Sequence, residues 1–233
     1  MLQTPTISKL AIVSLENGDR LSRAEFEHRY AGMPETCKAE LIEGIVCMSA
    51  AALRFKSHGQ PHSFLNAWLA TYQVFTDFTM VADAPTVRLD AINEPQPDLA
   101  LVIDAGCGGQ TQLSEDDYLE GAPELLAEIA ASTVSIDLGT KKTSYERNGV
   151  KEYLVWRVLD RQIDWFYLQN GKYVDLLADD DGITRSEVFP GLWLDRSALI
   201  QGDMKQVLAI LQTGIASQAH DEFVTRLEML QRS

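Results

Sequence analysis

Leu125-Leu126-Ala127-Glu128-Ile129-Ala130-Ala131 is an apolar run with one carboxylate at its centre. Read as a strand, it is apolar at consecutive positions, which is the pattern of a strand buried on both faces by covering helices. Pro97-Asp98-Leu99-Ala100-Leu101-Val102-Ile103 repeats the feature, with Asp98 at its head after a proline that suits the first residue of a strand. A buried carboxylate is costly unless it is neutral, paired with a cation or bound to a metal. Two such runs dictate a covered sheet and single out Asp98 and Glu128 as the acids that need partners.

The rest of the chain supplies the cover. Ser22 with Glu25 three residues on opens a short helix over Leu21–Tyr30. Lys38–Ser49 reads as a hairpin turning at Glu43-Gly44, and His62–Val74 carries Leu65, Trp68, Leu69 and Tyr72 at helical spacing. Thr79–Leu89 alternates weakly as a strand, and residues 106–117 form a polar, Gly-rich loop. After the 125–131 strand, Ser132 or Ser135 is expected to cap a helix that stops at Asn148-Gly149. Glu152–Val158 returns as a strand, and Gln162–Gln169 pairs with Lys172–Leu176 across Asn170-Gly171. From Ser197 onwards the pattern is helical. The expectation is an α/β chain with a mixed sheet flanked by helices, an N-terminal helix and hairpin, and a C-terminal helical extension. Residues 1–196 would form the main domain and 197–233 the extension.

Composition places the chain among ordinary globular proteins, with 45% hydrophobic and 23% charged residues. Met1–Glu16 has no apolar stretch long enough for a signal-peptide core, and no membrane-spanning run follows, so the cytoplasm is the expected compartment. Three scattered cysteines, Cys37, Cys47 and Cys107, have neither disulfide nor zinc spacing. Against a nucleic-acid partner stands the charge: 34 acidic and 20 basic residues give −14, and no Lys/Arg-rich stretch exists. Part of the acidity is local, in Glu115-Asp116-Asp117 and Asp179-Asp180-Asp181.

Asp98 and Glu128 at adjacent strand ends would offer the oxygen-rich site that Mg²⁺ or Mn²⁺ prefers, which makes metal-assisted hydrolysis the leading reaction class. Glu128 could instead pair with an arginine such as Arg147. Asp137, Lys141 and Tyr145 follow at i, i+4 steps, so one helix face can bring Lys141 to Glu128; an exposed Asp–Lys pair is the alternative. Gly106-Cys107-Gly108-Gly109 lacks the Gly-Lys-Ser/Thr of a phosphate loop. His58 and His62 read as a helix cap or core hydrogen-bonders rather than ligands.

A resemblance gathers these pieces. The order Glu40-Leu41-Ile42-Glu43-Gly44, Pro97-Asp98, Gly121-Ala122-Pro123-Glu124-Leu125-Leu126-Ala127-Glu128-Ile129, Asp137-x-Gly139-x-Lys141-x-x-x-Tyr145 and Gly149-Val150-Lys151-Glu152-Tyr153 is similar to the bacterial Uma family. That family consists of restriction-endonuclease-like proteins within the PD-(D/E)XK nuclease superfamily, and the match spans about Leu21 to Asp195. The resemblance implies a restriction-endonuclease-like fold and a metal-dependent endonuclease acting on nucleic acid, chiefly DNA, with Mg²⁺ or Mn²⁺. It makes Asp98 and Glu128 the metal ligands. Ala130 stands where the superfamily lysine belongs, and the resemblance gives that role to Lys141. Glu43 would complete the metal shell, Tyr145 would hold Lys141, and a homodimer is allowed. The competing reading is a nuclease fold without cleavage, acting as a binding or regulatory module. A hydrolase for a smaller or less charged substrate is a further one.

Overall fold

The computed structural model describes residues 13–34, 36–48 and 54–232. Helix α1, Arg23–Tyr30, opens on Ser22, whose hydroxyl accepts the Glu25 N–H at 3.3 Å. Strands β1, Ala39–Ile42, and β2, Ile45–Met48, form an antiparallel hairpin. Glu43 and Gly44 close it with φ of 53° and 72°, the left-handed pair that a tight two-residue hairpin turn requires. Ser49, at the end of the expected hairpin, and residues 1–12 of the N-terminal stretch lie outside the described residues.

A π-helical turn, Phe55–Gly59, leads into α2, Gln60–Val74, which buries Leu65, Trp68, Leu69 and Tyr72. The expected strand over Thr79–Leu89 is split. Strand β3, Thr79–Asp83, ends where Ala84 turns left-handed (φ 49°) before Pro85, which has no N–H to donate, and only β4, Val87–Arg88, remains beyond it. Strand β5 is Leu99–Ile103. The Gly-rich loop after it folds back at once: a Cβ on Gly109 would overlap the Ile103 carbonyl oxygen. Within that region β6, Gln112–Leu113, and β7, Leu119–Glu120, join β4 in a small sheet.

Strand β8, Leu125–Ala130, feeds a helix in three parts: α3, Val134–Ile136, a π-helical stretch Asp137–Lys141, and α4, Lys142–Asn148. Neither expected serine caps it; Thr133 holds the N-cap position without a side-chain bond. Gly149 stops it with φ 85°, as the sequence predicts. Strands β9, Glu152–Arg157, β10, Gln162–Gln169, and β11, Lys172–Asp175, complete the main sheet, the last two joined through left-handed Asn170 and Gly171. A short pair follows, β12, Ile183–Arg185, and β13, Trp193–Asp195, then helices α5, Arg196–Gln201, α6, Met204–Ile215, and α7, Gln218–Gln231.

The main sheet has six strands in the order β11-β10-β9-β8-β5-β3, with β8 parallel to β9 and the other pairs antiparallel, the mixed α/β sheet expected. Side chains alternate across it. Leu99, Leu101, Leu125, Ala127 and Trp156 share one buried cluster with Trp68 of α2 and with Val207, Leu211, Phe223 and Leu227 of the C-terminal helices. Ala100, Val102, Leu126 and Ala130 share another with Tyr145 and Tyr153. The β5/β8 register pairs Leu99 with Ala127 and Ala100 with Leu126. One step further puts Asp98 opposite Glu128, on the face that carries Leu126, Ala130 and Tyr145. No helix among the described residues is long and apolar enough to cross a membrane.

Helix α6 is docked through a glycine. A Cβ on Gly214 would overlap the Gly191 carbonyl oxygen and lie 2.8 Å from the Trp193 ring. Alanine is the better helix former by about 1 kcal/mol, so on an open helix surface Gly214→Ala would stabilise. Here overpacking prevails, and urea denaturation should show a loss of about 1–3 kcal/mol.

Candidate active site

Five segments converge at one end of the β5/β8 pair: the β1 strand, the π-helical turn Phe55–Gly59, the two strand ends themselves, and the helix after β8. Between them lies a cavity of about 500 Å³, bordered by Glu40, His58, Asp98, Glu128, Asp137 and Lys141.

Lys141 sits at its floor, buried with a side-chain exposure of 6%. Its Nζ lies 2.8 Å from Glu40 Oε1, 2.9 Å from Glu128 Oε1 and 3.9 Å from Asp137 Oδ1. The π-helical widening of 137–141, with the Lys142 N–H reaching back to the Asp137 carbonyl, sets Asp137 and Lys141 on this face. Tyr145 donates its hydroxyl to Glu128 Oε1 at 3.1 Å. Glu40 is further held by the Gln96 N–H at 2.7 Å, and Tyr153 donates to the Asp137 carbonyl at 3.0 Å. Asp98 has donors of its own: its Oδ2 accepts the Ile129 N–H at 2.6 Å, and His58 Nε2 lies 3.1 Å from Oδ1.

Burial and crowding set the ionisation. Burial, reinforced by Asp137, Asp98 and Glu40, pushes Glu128 well above the ordinary carboxylate range although Lys141 pulls it down. Asp137 rises to about 6, again chiefly through burial. Burial alone would lower the Lys141 ammonium, but the charges of Glu128, Glu40 and Asp137 outweigh it and hold Lys141 well above its usual value. Tyr145 is raised by burial and by Glu128. Burial likewise opposes the ionisation of Asp98, but His58 and the Ile129 N–H prevail and hold it below the ordinary value. The hydrogen bond to Asp98 lifts His58 in return.

The structure therefore brings Asp98, Glu128, Lys141 and Tyr145 together and leaves Glu43 out. Glu43 occupies the left-handed hairpin turn, and its Oε2 accepts from Arg147 Nη1 at 2.7 Å, away from the cavity. The β1 acid that reaches the site is Glu40. The signal was present, because Glu40 interrupts the apolar run Ala39–Ile42 as Glu128 interrupts its own. Arg147, the alternative partner for Glu128, is taken by Glu43 and Asp90. His58, read from sequence as a cap or core hydrogen-bonder, stands at the site against Asp98. His62 keeps the hydrogen-bonding role, 3.2 Å from the Asp98 carbonyl oxygen and 3.2 Å from Asp83 Oδ1.

Hard oxygen donors and an excess of buried negative charge suit a divalent cation such as Mg²⁺ or Mn²⁺. Three carboxylates, Glu40, Glu128 and Asp137, face one buried ammonium, and burial first, with their crowding, raises Glu128 and Asp137. Among the described residues no three His, Cys, Asp or Glu side chains already form a ligand set.

A family model described as Uma2, putative restriction endonuclease, matches residues 23–197. A crystal structure described as a putative nuclease belonging to DUF820, from Anabaena variabilis, is similar with a TM-score of 0.56 at 12% identity, covering 74% of this chain and 97% of that one. The likeness shows a shared fold, the restriction-endonuclease-like sheet expected from the sequence. No curated protein matches the chain.

Lys141→Met removes the ammonium and leaves Glu40, Glu128 and Asp137 facing one another, at a cost of about 3–5 kcal/mol near pH 8. Asp137 already holds its proton more tightly folded, at about 6, than its reference of 3.8. Between those values the folded state binds more protons, so stability from this group is present at low pH and lost as pH rises towards 6. The variant widens that window. Thermal melts in EDTA should show its deficit shrinking from pH 8 to pH 5; a deficit that grows on acidification would contradict the placement.

Proposed function

The chain belongs to the Uma2 family of putative restriction endonucleases, and on that premise we propose that it is a metal-dependent endonuclease hydrolysing nucleic-acid phosphodiesters, DNA in the first place, in the cytoplasm. The observation that carries the reading is the pairing of Asp98 with Glu128 on one sheet face, with Lys141 held 2.9 Å from the glutamate. Lys141 comes from the helix after β8, in place of the lysine that Ala130 does not supply.

Asp98 and Glu128 would hold Mg²⁺ or Mn²⁺, which supplies polarisation of the scissile phosphate and acidification of a bound water. The chain's own groups prepare the site. His58 and the Ile129 N–H fix the Asp98 carboxylate and keep it ionised. Tyr145 and Lys141 both donate to Glu128 Oε1, which orients that carboxylate at the edge of the cavity. The Lys141 ammonium places fixed positive charge where negative charge gathers on the phosphate, in a site that need not reorganise.

A second reading, a binding or regulatory module that keeps the fold without cleavage, is favoured by Ala130 and by the lack of a preformed three-residue ligand set among the described residues. Nicking of supercoiled DNA and cleavage of single strands with Mg²⁺ or Mn²⁺ separates the two. EDTA should stop the reaction, and Glu128→Gln should lower it at least about a hundredfold, since several kcal/mol of stabilisation depend on the metal. Its fold should persist, because Lys141 keeps Glu40 and crowding among the acids is relieved. Cleavage indifferent to EDTA refutes the mechanism, and no cleavage of any nucleic acid leaves the binding module.

A further inference from the structure

Among the described residues ten Lys and Arg side chains of this acidic chain pair with carboxylates. Arg88 meets Glu27, Asp116 and Glu120; Arg147 meets Glu43 and Asp90; Arg157 meets Asp160 and Asp164. Arg54, Lys56 and Arg161 are exposed and have no carboxylate partner among the described residues. All three lie at the mouth of the candidate active site or just beyond it. Arg54 borders the 500 Å³ cavity, while Lys56 and Arg161 border a second cavity of about 330 Å³.

The two cavities share a wall. In the π-helical turn, Ser57 and His58 face the first and Lys56 the second; in the turn after β9, Leu159 faces the first and Val158 and Arg161 the second. Leu159 on that wall is 71% exposed, and Phe55, at the start of the π-helical turn, is 72% exposed. The second cavity is lined by Phe64 and Trp156 together with Gln60 and Gln201. Trp156 is buried and Phe64 half-buried, so the cavity offers the Phe64 ring, amide groups and two cations free of carboxylates in one concave place.

We propose that this second cavity is a subsite for a nucleotide flanking the scissile phosphate, and that the strand it receives is single-stranded. The inference rests on the nuclease reading of the first cavity and names its substrate class. Lys56 and Arg161 take the phosphates next to the cleaved one, and Arg54 takes the phosphate at the cavity mouth. An unpaired base enters against Phe64, while Phe55 and Leu159 carry the strand over the wall. Duplex DNA presents a charge about every 1.7 Å of its axis and keeps its bases stacked inside, so it meets the −14 surface with many phosphates and cannot fill the cavity. A single strand needs few cations, because stacking supplies affinity that does not depend on charge.

Fluorescence anisotropy with a labelled single-stranded DNA of about 10 nucleotides tests it, a length within the range one such groove occupies. Binding is read for the native chain in EDTA and for Glu128→Gln in Mg²⁺, so neither depends on cleavage. The single strand should bind more tightly than the duplex of the same sequence. Three phosphate contacts should give a slope of log K against log salt near about −2, at about −0.7 each. Lys56→Ala with Arg161→Ala should weaken binding about tenfold or more and flatten the slope by about 1.4. Lys172→Ala, on the strand at the far edge of the sheet, should do neither. Phe64→Ala should weaken binding without changing the slope, and circular dichroism confirms that each variant is folded. Tighter duplex binding, a double variant that binds like the native chain, or no binding under either condition overturns the subsite. Cleavage that fails while this pattern holds overturns only the nuclease reading.

Discussion

The register of β5 against β8 is the constraint on which the site depends. With Leu99 opposite Ala127, Asp98 falls opposite Glu128, and like charges directly across an antiparallel pair repel. The pair is tolerated because each acid has separate donors: His58 and the Ile129 N–H for Asp98, Lys141 and Tyr145 for Glu128. A slip of one residue would turn Glu128 to the other face, into the cluster of Leu65, Trp68 and Leu69, where the surrounding side chains are apolar. The hydrophobic alternation of Leu125, Ala127 and Ile129 against Leu126 and Ala130 thus fixes the chemistry as firmly as the core.

What the sequence reveals and what it conceals follow the range of the contacts. Glu128, Lys141 and Tyr145 lie within one strand–helix unit, so spacing along the chain was enough to bring them together. Asp98 was legible because a strand buried on both faces leaves its head at the sheet end. Glu40 was missed in favour of Glu43 because the choice depends on how a separate hairpin lies over the sheet end, held by the Gln96 N–H 56 residues away. His58 was discounted because nothing local distinguishes a histidine before a helix from a cap. Its partner, Asp98, is 40 positions further on. The π-helical stretch over Asp137–Lys141 has no marker in residue type either; it is the shape taken by a helix whose acid and lysine are both drawn into one buried cluster. The Thr79–Leu89 strand was overextended because Pro85 and the left-handed Ala84 count for more than weak alternation.

A net charge of −14 and a nucleic-acid substrate are compatible once charge is read locally. Long-range attraction is screened within about 10 Å at ordinary salt, so what a phosphate meets at the cavity mouth is set by the few groups there. Arg88, Arg147 and Arg157 neutralise carboxylates elsewhere and add little to that field. Arg54 and Lys56 stand beside the cavity without such a partner among the described residues, and their neighbours Phe55 and Leu159 contribute surface rather than charge. Such a mouth has few charges and ample apolar area, which is what the proposed single-strand subsite calls for.

The two acids of the site are chemically similar and electrostatically opposite. Both are removed from water, which raises both. Asp98 overcomes this through a histidine that can itself be cationic and a backbone N–H, donors that come from outside the acidic cluster. Glu128 has a permanent ammonium beside it but shares that ammonium with Glu40 and Asp137, so its gain from Lys141 is smaller than the penalty of burial and crowding. When environment drives two neighbouring carboxyl groups apart in this way, they serve as different chemical groups at one pH. Asp98 is a fixed negative charge at the strand head. Glu128 is the acid that burial and crowding push up, and a cation entering the cavity would relieve that crowding and favour its ionised form beside Lys141 and Tyr145.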